Sequence, residues 1–292
     1  MGSIFVSVLL PLAVVVIMFS LGLGLTVADF KRIGQRPRAF CVGAINQIFL
    51  LPVIAFAVIY TFGMSSETAV GIMILAACPG GAISNIVTKL ANWEVALSVT
   101  LTAVFSLTCV ITVPIILGFS MQMFMGTTAP AIDISSTAIA MFLLTASPIL
   151  AGVTVRTLAQ PTVVVIEPIL SKISMLFFAA VIGGAIMLNW AVVEDNYLRL
   201  GPALFVICGF LTVTGIMSAR LLGCTDAEAK TISIETGVQN GALGIAIAAL
   251  LLPNSDELSA YAIPSAIYGV IWIATMLPVF TFLARKKPKL MI

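Results

Sequence analysis

Histidine does not occur in this chain. Its absence removes imidazole metal ligands, imidazole general bases and every Ser-His-Asp arrangement. Charge is nearly as scarce: 9% of the 292 residues are Asp, Glu, Lys or Arg, against about 25% in soluble domains. The five cysteines, Cys41, Cys78, Cys109, Cys208 and Cys224, show no CxxC spacing and read as small hydrophobes, not as a metal or redox centre. Linkers, low-complexity tracts and long polar loops are missing too, so one domain is expected across 1–292 with no soluble appendage. What is abundant is apolar sequence, 61% of residues, with a mean hydropathy of +1.19. These values imply an all-α polytopic membrane protein with the lipid bilayer as its first partner. No nucleic-acid partner and no obligatory protein partner is expected.

Apolar runs of about 20 residues fit nine times, at about 3–26, 38–61, 68–89, 94–119, 134–156, 168–190, 200–222, 230–252 and 260–283. The first has no Lys or Arg before it and is long enough to span, unlike a cleaved leader. With nine spans, Lys31, Arg32, Arg36, Arg38, Lys89, Arg156, Lys172, Arg220, Lys230, Arg285, Lys286, Lys287 and Lys289 share one side, and only Arg199 falls on the other. The positive-inside rule makes that side the cytoplasm. A cell-membrane protein is expected, with its N-terminus outside and its C-terminus inside. Glu67, Asp133, Glu194, Asp195, Asp256 and Glu257 fall in the outer loops.

Two spans are interrupted where a plain membrane helix has no reason to be. The eighth carries Glu235, Thr236, Gly237, Val238, Gln239, Asn240 and Gly241 in the middle of an apolar run. A carboxylate at such depth costs roughly 2.5–3.5 kcal/mol on insertion scales and marks an ion or substrate pathway by default. The bland alternative is a protonated Glu235 with amides serving as interhelical glue. The third span carries Cys78-Pro79-Gly80-Gly81 followed by Ser84-Asn85, so its helix should break near mid-depth. The two spans enter from opposite sides, so spans two to four and seven to nine are expected to be an inverted repeat. Broken helices in corresponding positions of such a repeat point to a secondary transporter's binding site.

Ser98 and Thr102 in span four lie i,i+4 on one helix face, and Gln47 is a lone amide at mid-depth in span two. Each alone is equally well read as a back-bonding hydroxyl or interhelical glue. Together with Ser84, Asn85, Glu235 and Gln239 they supply oxygen ligands only, chemistry suited to a hard cation. One carboxylate among neutral oxygens favours a monovalent ion over calcium.

Cys-Pro-Gly-Gly-x-x-Ser-Asn at 78–85, Ala-Leu-Ser-x-x-x-Thr at 96–102 and Glu-x-Gly-x-Gln-Asn at 235–240 resemble the bile acid:sodium symporter family, and the resemblance runs essentially the length of the chain. It implies two crossing broken helices in a core domain, spans about 38–119 and 200–283, and a panel domain, spans about 3–26, 134–156 and 168–190. It implies sodium-coupled symport of an organic anion, bile-acid-like or a small carboxylate, with two sodium ions and no organic cofactor. One ion would take Ser84, Asn85, Ser98, Thr102 and Glu235. The second would take Gln47, Glu235 and Gln239 with the carbonyls of Thr236 and Val238. The anion would sit beside Ala82, Ile83, Asn85, Asn240 and Gly241. The chain resembles a nine-span form of a family often built with ten, and Ala82 stands where relatives often carry Thr. The rival readings are proton coupling through Glu235 and, from another class, a membrane enzyme using Cys78 or Ser84. An enzyme is not expected, because such a nucleophile would have no adjacent base except Glu235.

Overall fold

The computed structural model describes residues 5–129, 133–251 and 259–285. Asp256, Glu257, Lys286, Lys287 and Lys289, used above to orient the chain, lie outside them. The described residues are helical almost throughout: α1 (Leu10–Leu23), α2 (Val27–Gln35), α3 (Pro37–Phe62), α4 (Ser66–Ala77), α5 (Ala82–Leu90), α6 (Val95–Met125), α7 (Ile134–Leu158), α8 (Gln160–Leu188), α9 (Trp190–Leu221), α10 (Asp226–Gly237), α11 (Gly241–Leu251) and α12 (Ile263–Arg285). Five of these, α3, α6, α7, α8 and α9, are each long and apolar enough to cross a membrane without interruption. Helices α1 and α2 meet at a 73° bend. Thr26 sets the bend, because its backbone N–H and its hydroxyl both donate to Asp29 Oδ2, at 2.8 and 2.6 Å, and so cap the start of α2.

Three prolines are absorbed by widened turns. Pro11, Pro52 and Pro148 each follow a π turn, Phe5–Leu9 ahead of α1, Asn46–Leu50 in α3 and Phe142–Ala146 in α7. Proline has no N–H to give and its ring crowds the carbonyl one turn back. A π turn moves that carbonyl aside and lets the span continue. In α3 the same turn buries Asn46 and Gln47.

Several helix ends depart from the expected spans. Helix α8 begins at Gln160, ahead of the expected 168, and α9 begins at Trp190, ahead of 200, with Asn189 alone between them. Pro161 fits the unpaired first turn of α8. Glu194, Asp195 and Arg199 therefore ride on a helix and not in a loop.

Helix α1 packs against α7 and α8. A Cβ on Gly152 would lie 2.5 Å from the Phe19 carbonyl oxygen, so α1 and α7 touch through their backbones. Helix α9 packs against α10, α3 and α12, and α6 against α4. Buried aliphatic side chains fill both regions, Leu10, Met18 and Ile149 in one and Leu51, Leu204 and Ile207 in the other.

Candidate ion and anion site

The third apolar stretch stops at Ala77 and resumes at Ala82. The eighth stops at Gly237 and resumes at Gly241. The two gaps lie against each other: Asn240 N–H donates to the Pro79 carbonyl at 3.0 Å, and Gly80 and Gln239 form an isolated antiparallel bridge. Backbone groups released by each break thus find partners in the other, as burial requires. Asn240 also restarts its helix, with Oδ1 accepting from Leu243 N–H at 3.1 Å.

Glu235 projects from the last turn of α10 and is 5% exposed. The Ser98 hydroxyl donates to its Oε1, and the Thr102 hydroxyl lies 2.9 Å from Oε2. Asn85 Oδ1 is 2.7 Å from Ser98 Oγ and 3.3 Å from Thr102 Oγ1. The Ser84 hydroxyl donates to the Gly81 carbonyl at 2.6 Å. A Cβ on Gly80 would meet Glu235 Oε2 at 2.6 Å, so only glycine lets the carboxylate lie against the break. The side-chain acceptors outnumber the hydroxyls that reach them: Glu235 Oε1 and Oε2 and Asn85 Oδ1 share the hydroxyls of Ser98 and Thr102. A buried cluster with surplus acceptors is completed by a positive charge.

Beside it runs a second polar chain. Gln47 Nε2 donates to the Cys78 carbonyl and to Gln239 Oε1, both at 2.9 Å, and Gln239 Nε2 donates to the Thr236 carbonyl at 2.8 Å. Val238 lies in the gap, its N–H bonded to the Ile234 carbonyl. Hydrogen bonds tie Glu235 to the first group and not to Gln47 or Gln239. Ile83 and Asn85 lie in the first turn of α5, and Gly241 opens α11 buried against the Ser265 carbonyl, 2.7 Å from where its Cβ would be. The side chain of Ala82 lies outside the described set. Tyr268 escaped the sequence reading. Its hydroxyl, fully buried, donates to the Gly237 carbonyl at 2.7 Å and closes the end of α10. The available signal was a phenol within an apolar span, which needs a partner. No group of three or more Cys, Asp or Glu side chains able to hold a metal occurs among the described residues.

Apolar helices of membrane-crossing length, with two interrupted helices joined over a buried carboxylate, define a polytopic α-helical membrane protein with its polar site between the helices. This chain belongs to the sodium bile acid symporter family, whose model matches residues 11–196. It is 30% identical over 259 residues to the uncharacterized sodium-dependent transporter YocS of Bacillus subtilis, covering 87% of this chain and 76% of that protein. It is 29% identical over 256 residues to the probable chloroplastic sodium/metabolite cotransporter BASS1 of Arabidopsis thaliana, covering 87% of this chain and 62% of that one. It is 25% identical over 276 residues to the ileal sodium/bile acid cotransporter of Oryctolagus cuniculus, covering 93% and 78%. The chain thus spans about three fifths of the plant relative and about three quarters of the other two.

Proposed function

We propose that this protein is a sodium-coupled symporter of an organic anion working by alternating access, with nine spans, an outside N-terminus and a cytoplasmic C-terminus. The observation that carries the reading is the surplus of acceptor oxygens around Glu235 at the junction of the two breaks. Sodium bound by Ser84, Asn85, Ser98, Thr102 and Glu235 would supply the missing charge. A second ion would use Gln47, Gln239 and the Thr236 and Val238 carbonyls after the present bonds among them rearrange. Family membership and the names of the relatives favour sodium over a proton. The helix starts at Ala82 and Gly241 offer N–H groups and positive dipole ends to an anion beside Ile83, Asn85 and Asn240. Coupling follows from linkage: sodium neutralises Glu235 and braces the breaks, and whatever it adds to anion affinity the anion returns to sodium. In this reading α1, α7 and α8 form the panel against which the remaining spans rock.

Proteoliposome uptake with sodium replaced by choline at fixed pH tests the proposal. Uptake of organic anions is expected to collapse in choline, whereas persistence with a dependence on pH instead establishes proton coupling. Glu235→Gln keeps the shape and removes the charge. Its ion-free melting temperature is expected to equal or exceed that of the wild type, and it gains nothing from sodium, where the wild type at about 100 times its Kd gains about 2.7 kcal/mol. Equal sodium stabilisation in both proteins sinks the assignment.

A further inference from the structure

Helices α6 and α10 meet twice. One meeting is the oxygen cluster itself, where Ser98 and Thr102 of α6 reach Glu235 of α10. The other lies one turn earlier, where the Glu94 backbone N–H donates to Thr231 Oγ1 at 3.1 Å. Glu94 stands four residues before Ser98, and Thr231 four residues before Glu235, so the two meetings are successive rungs of one parallel pairing. Thr231 is fully buried. The other hydroxyls of α10 serve elsewhere: Ser233 donates to the Thr212 carbonyl on α9 and Thr236 to the Ile232 carbonyl of its own helix, both at 2.7 Å. Glu94 precedes the first residue of α6 and its side chain does not cap that helix, so its N–H is one of the open donors of a helix start. A hydroxyl from the neighbouring helix fills it.

Other contacts hold these helix starts together without fixing their register. Arg36 bridges Glu94 and Glu228 through a side chain that is 59% exposed, where solvent screens the attraction and a long side chain follows small slips. Lys230 Nζ lies 5.8 Å from the Trp93 ring centroid, a contact broad in direction. Packing is incomplete as well: a cavity of about 350 Å³ opens beside the start of α6, lined by Arg36, Phe40, Glu94, Leu97, Thr100 and Glu228 among others. The Thr231 bond is buried and directional. A slip of one residue moves a helical side chain by about 1.5 Å along the axis and about 100° around it, which would carry Glu235 out of reach of both hydroxyls. We infer that Thr231 is a positioning residue for the cation cluster: by holding the Glu94 N–H it sets the register of α10 on α6 and so delivers Glu235 to Ser98 and Thr102. The inference deepens the sodium proposal and rests on it, with Thr231 lying outside every residue set expected from the sequence.

The test is a sodium titration read by the melting temperature of the purified full chain. A residue that only stabilises the fold lowers the ion-free melting temperature and leaves the sodium midpoint where it was. Thr231→Val keeps the shape and removes the acceptor, and its midpoint is expected to rise about tenfold, the lower end of what losing a group that orients a metal ligand costs. Thr231→Ser should titrate like the wild type. Ser233→Ala loses a hydrogen bond on the α9 side of the same helix and should lower the ion-free melting temperature with the midpoint in place. In a Ser98→Ala background, Thr231→Val should add much less to the shift, because a ligand it places is already gone. Where Thr231→Val does not fold, Glu94→Pro removes the same bond from the donor side, at a φ of −79° that proline accepts. Glu94→Ala controls for the lost carboxylate, and the proline variant should have the higher midpoint of the two. An unmoved midpoint in Thr231→Val, an equal shift in Ser233→Ala, full additivity with Ser98→Ala, or equal midpoints in the Glu94 pair overturns the inference. A wild type that gains nothing from sodium is a different failure, that of the coupling proposal itself.

Discussion

At the scale of single residues, the contrast between two neighbouring glycines isolates the carboxylate. A Cβ on Gly80 would meet Glu235 Oε2 at 2.6 Å, whereas one on Gly81 would find nothing nearer than 3.9 Å. Gly80→Ala should therefore push Glu235 away from Thr102 and raise the sodium concentration needed for half-maximal stabilisation by about tenfold, the scale of one lost charge-assisted hydrogen bond. Gly81→Ala should leave it nearly unchanged. Titrating sodium against the melting temperature of both variants checks this, and equal behaviour of the two removes the steric account. The residues of this cluster were legible in the sequence because a carboxylate, amides and paired hydroxyls inside apolar runs have no solvent to serve. Tyr268 was not, because it has an ordinary explanation in one dimension, a core aromatic. Only the partnered carbonyl distinguishes it.

At the scale of elements, helix α10 is held at its start by charge. Thr225 and Glu228 form a capping box, with Thr225 N–H donating to Glu228 Oε2 at 2.8 Å and Glu228 N–H to Thr225 Oγ1 at 3.3 Å. Arg36 bridges Glu228 and Glu94, both at 3.1 Å, and so ties α10 to the loop before α3 and the start of α6. Burial alone would raise the Glu228 carboxyl, but hydrogen bonds from Thr225 and the Arg36 guanidinium outweigh it and hold the group below the usual Glu range. A carboxyl depressed in the folded state stabilises the fold above its unfolded pKa and loses that contribution as pH falls through its folded value. The first turn of α10 should thus stay protected from amide exchange at neutral pH and open as pH drops through and below the ordinary carboxylate range. Thr225→Ala should produce a similar opening at pH 7, at a cost of about 0.5–2 kcal/mol. Exchange in Asp226–Lys230 that is insensitive to both changes removes the capping account. The breaks between α4 and α5 and between α10 and α11 could be read from proline and glycine within apolar runs. The starts of α8 and α9 could not, since hydropathy registers where a helix leaves the apolar layer and not where its hydrogen bonding begins.

At the scale of the whole molecule, the proposed arrangement in the bilayer rests on the basic residues. A cysteine replacing Ser65, in the α3–α4 turn, should react with an impermeant maleimide from outside intact cells, and one replacing Gln35, beside Arg36, only after permeabilisation. Labelling of both from the same side removes the nine-span arrangement. The joint between Gly80 and Gln239 bears on how such a molecule is made. Its two strands are separated by more than half the chain, so α4 and α5 enter the bilayer well before the segment that completes them has been synthesised. Until then the Pro79 carbonyl lacks the Asn240 N–H, and Gln47 holds the Cys78 carbonyl without Gln239 beside it. Pairings between distant segments are the slow ones to form, and a backbone group left open in hydrocarbon is costly. Until its last third arrives, the nascent chain must therefore satisfy these carbonyls in some other way.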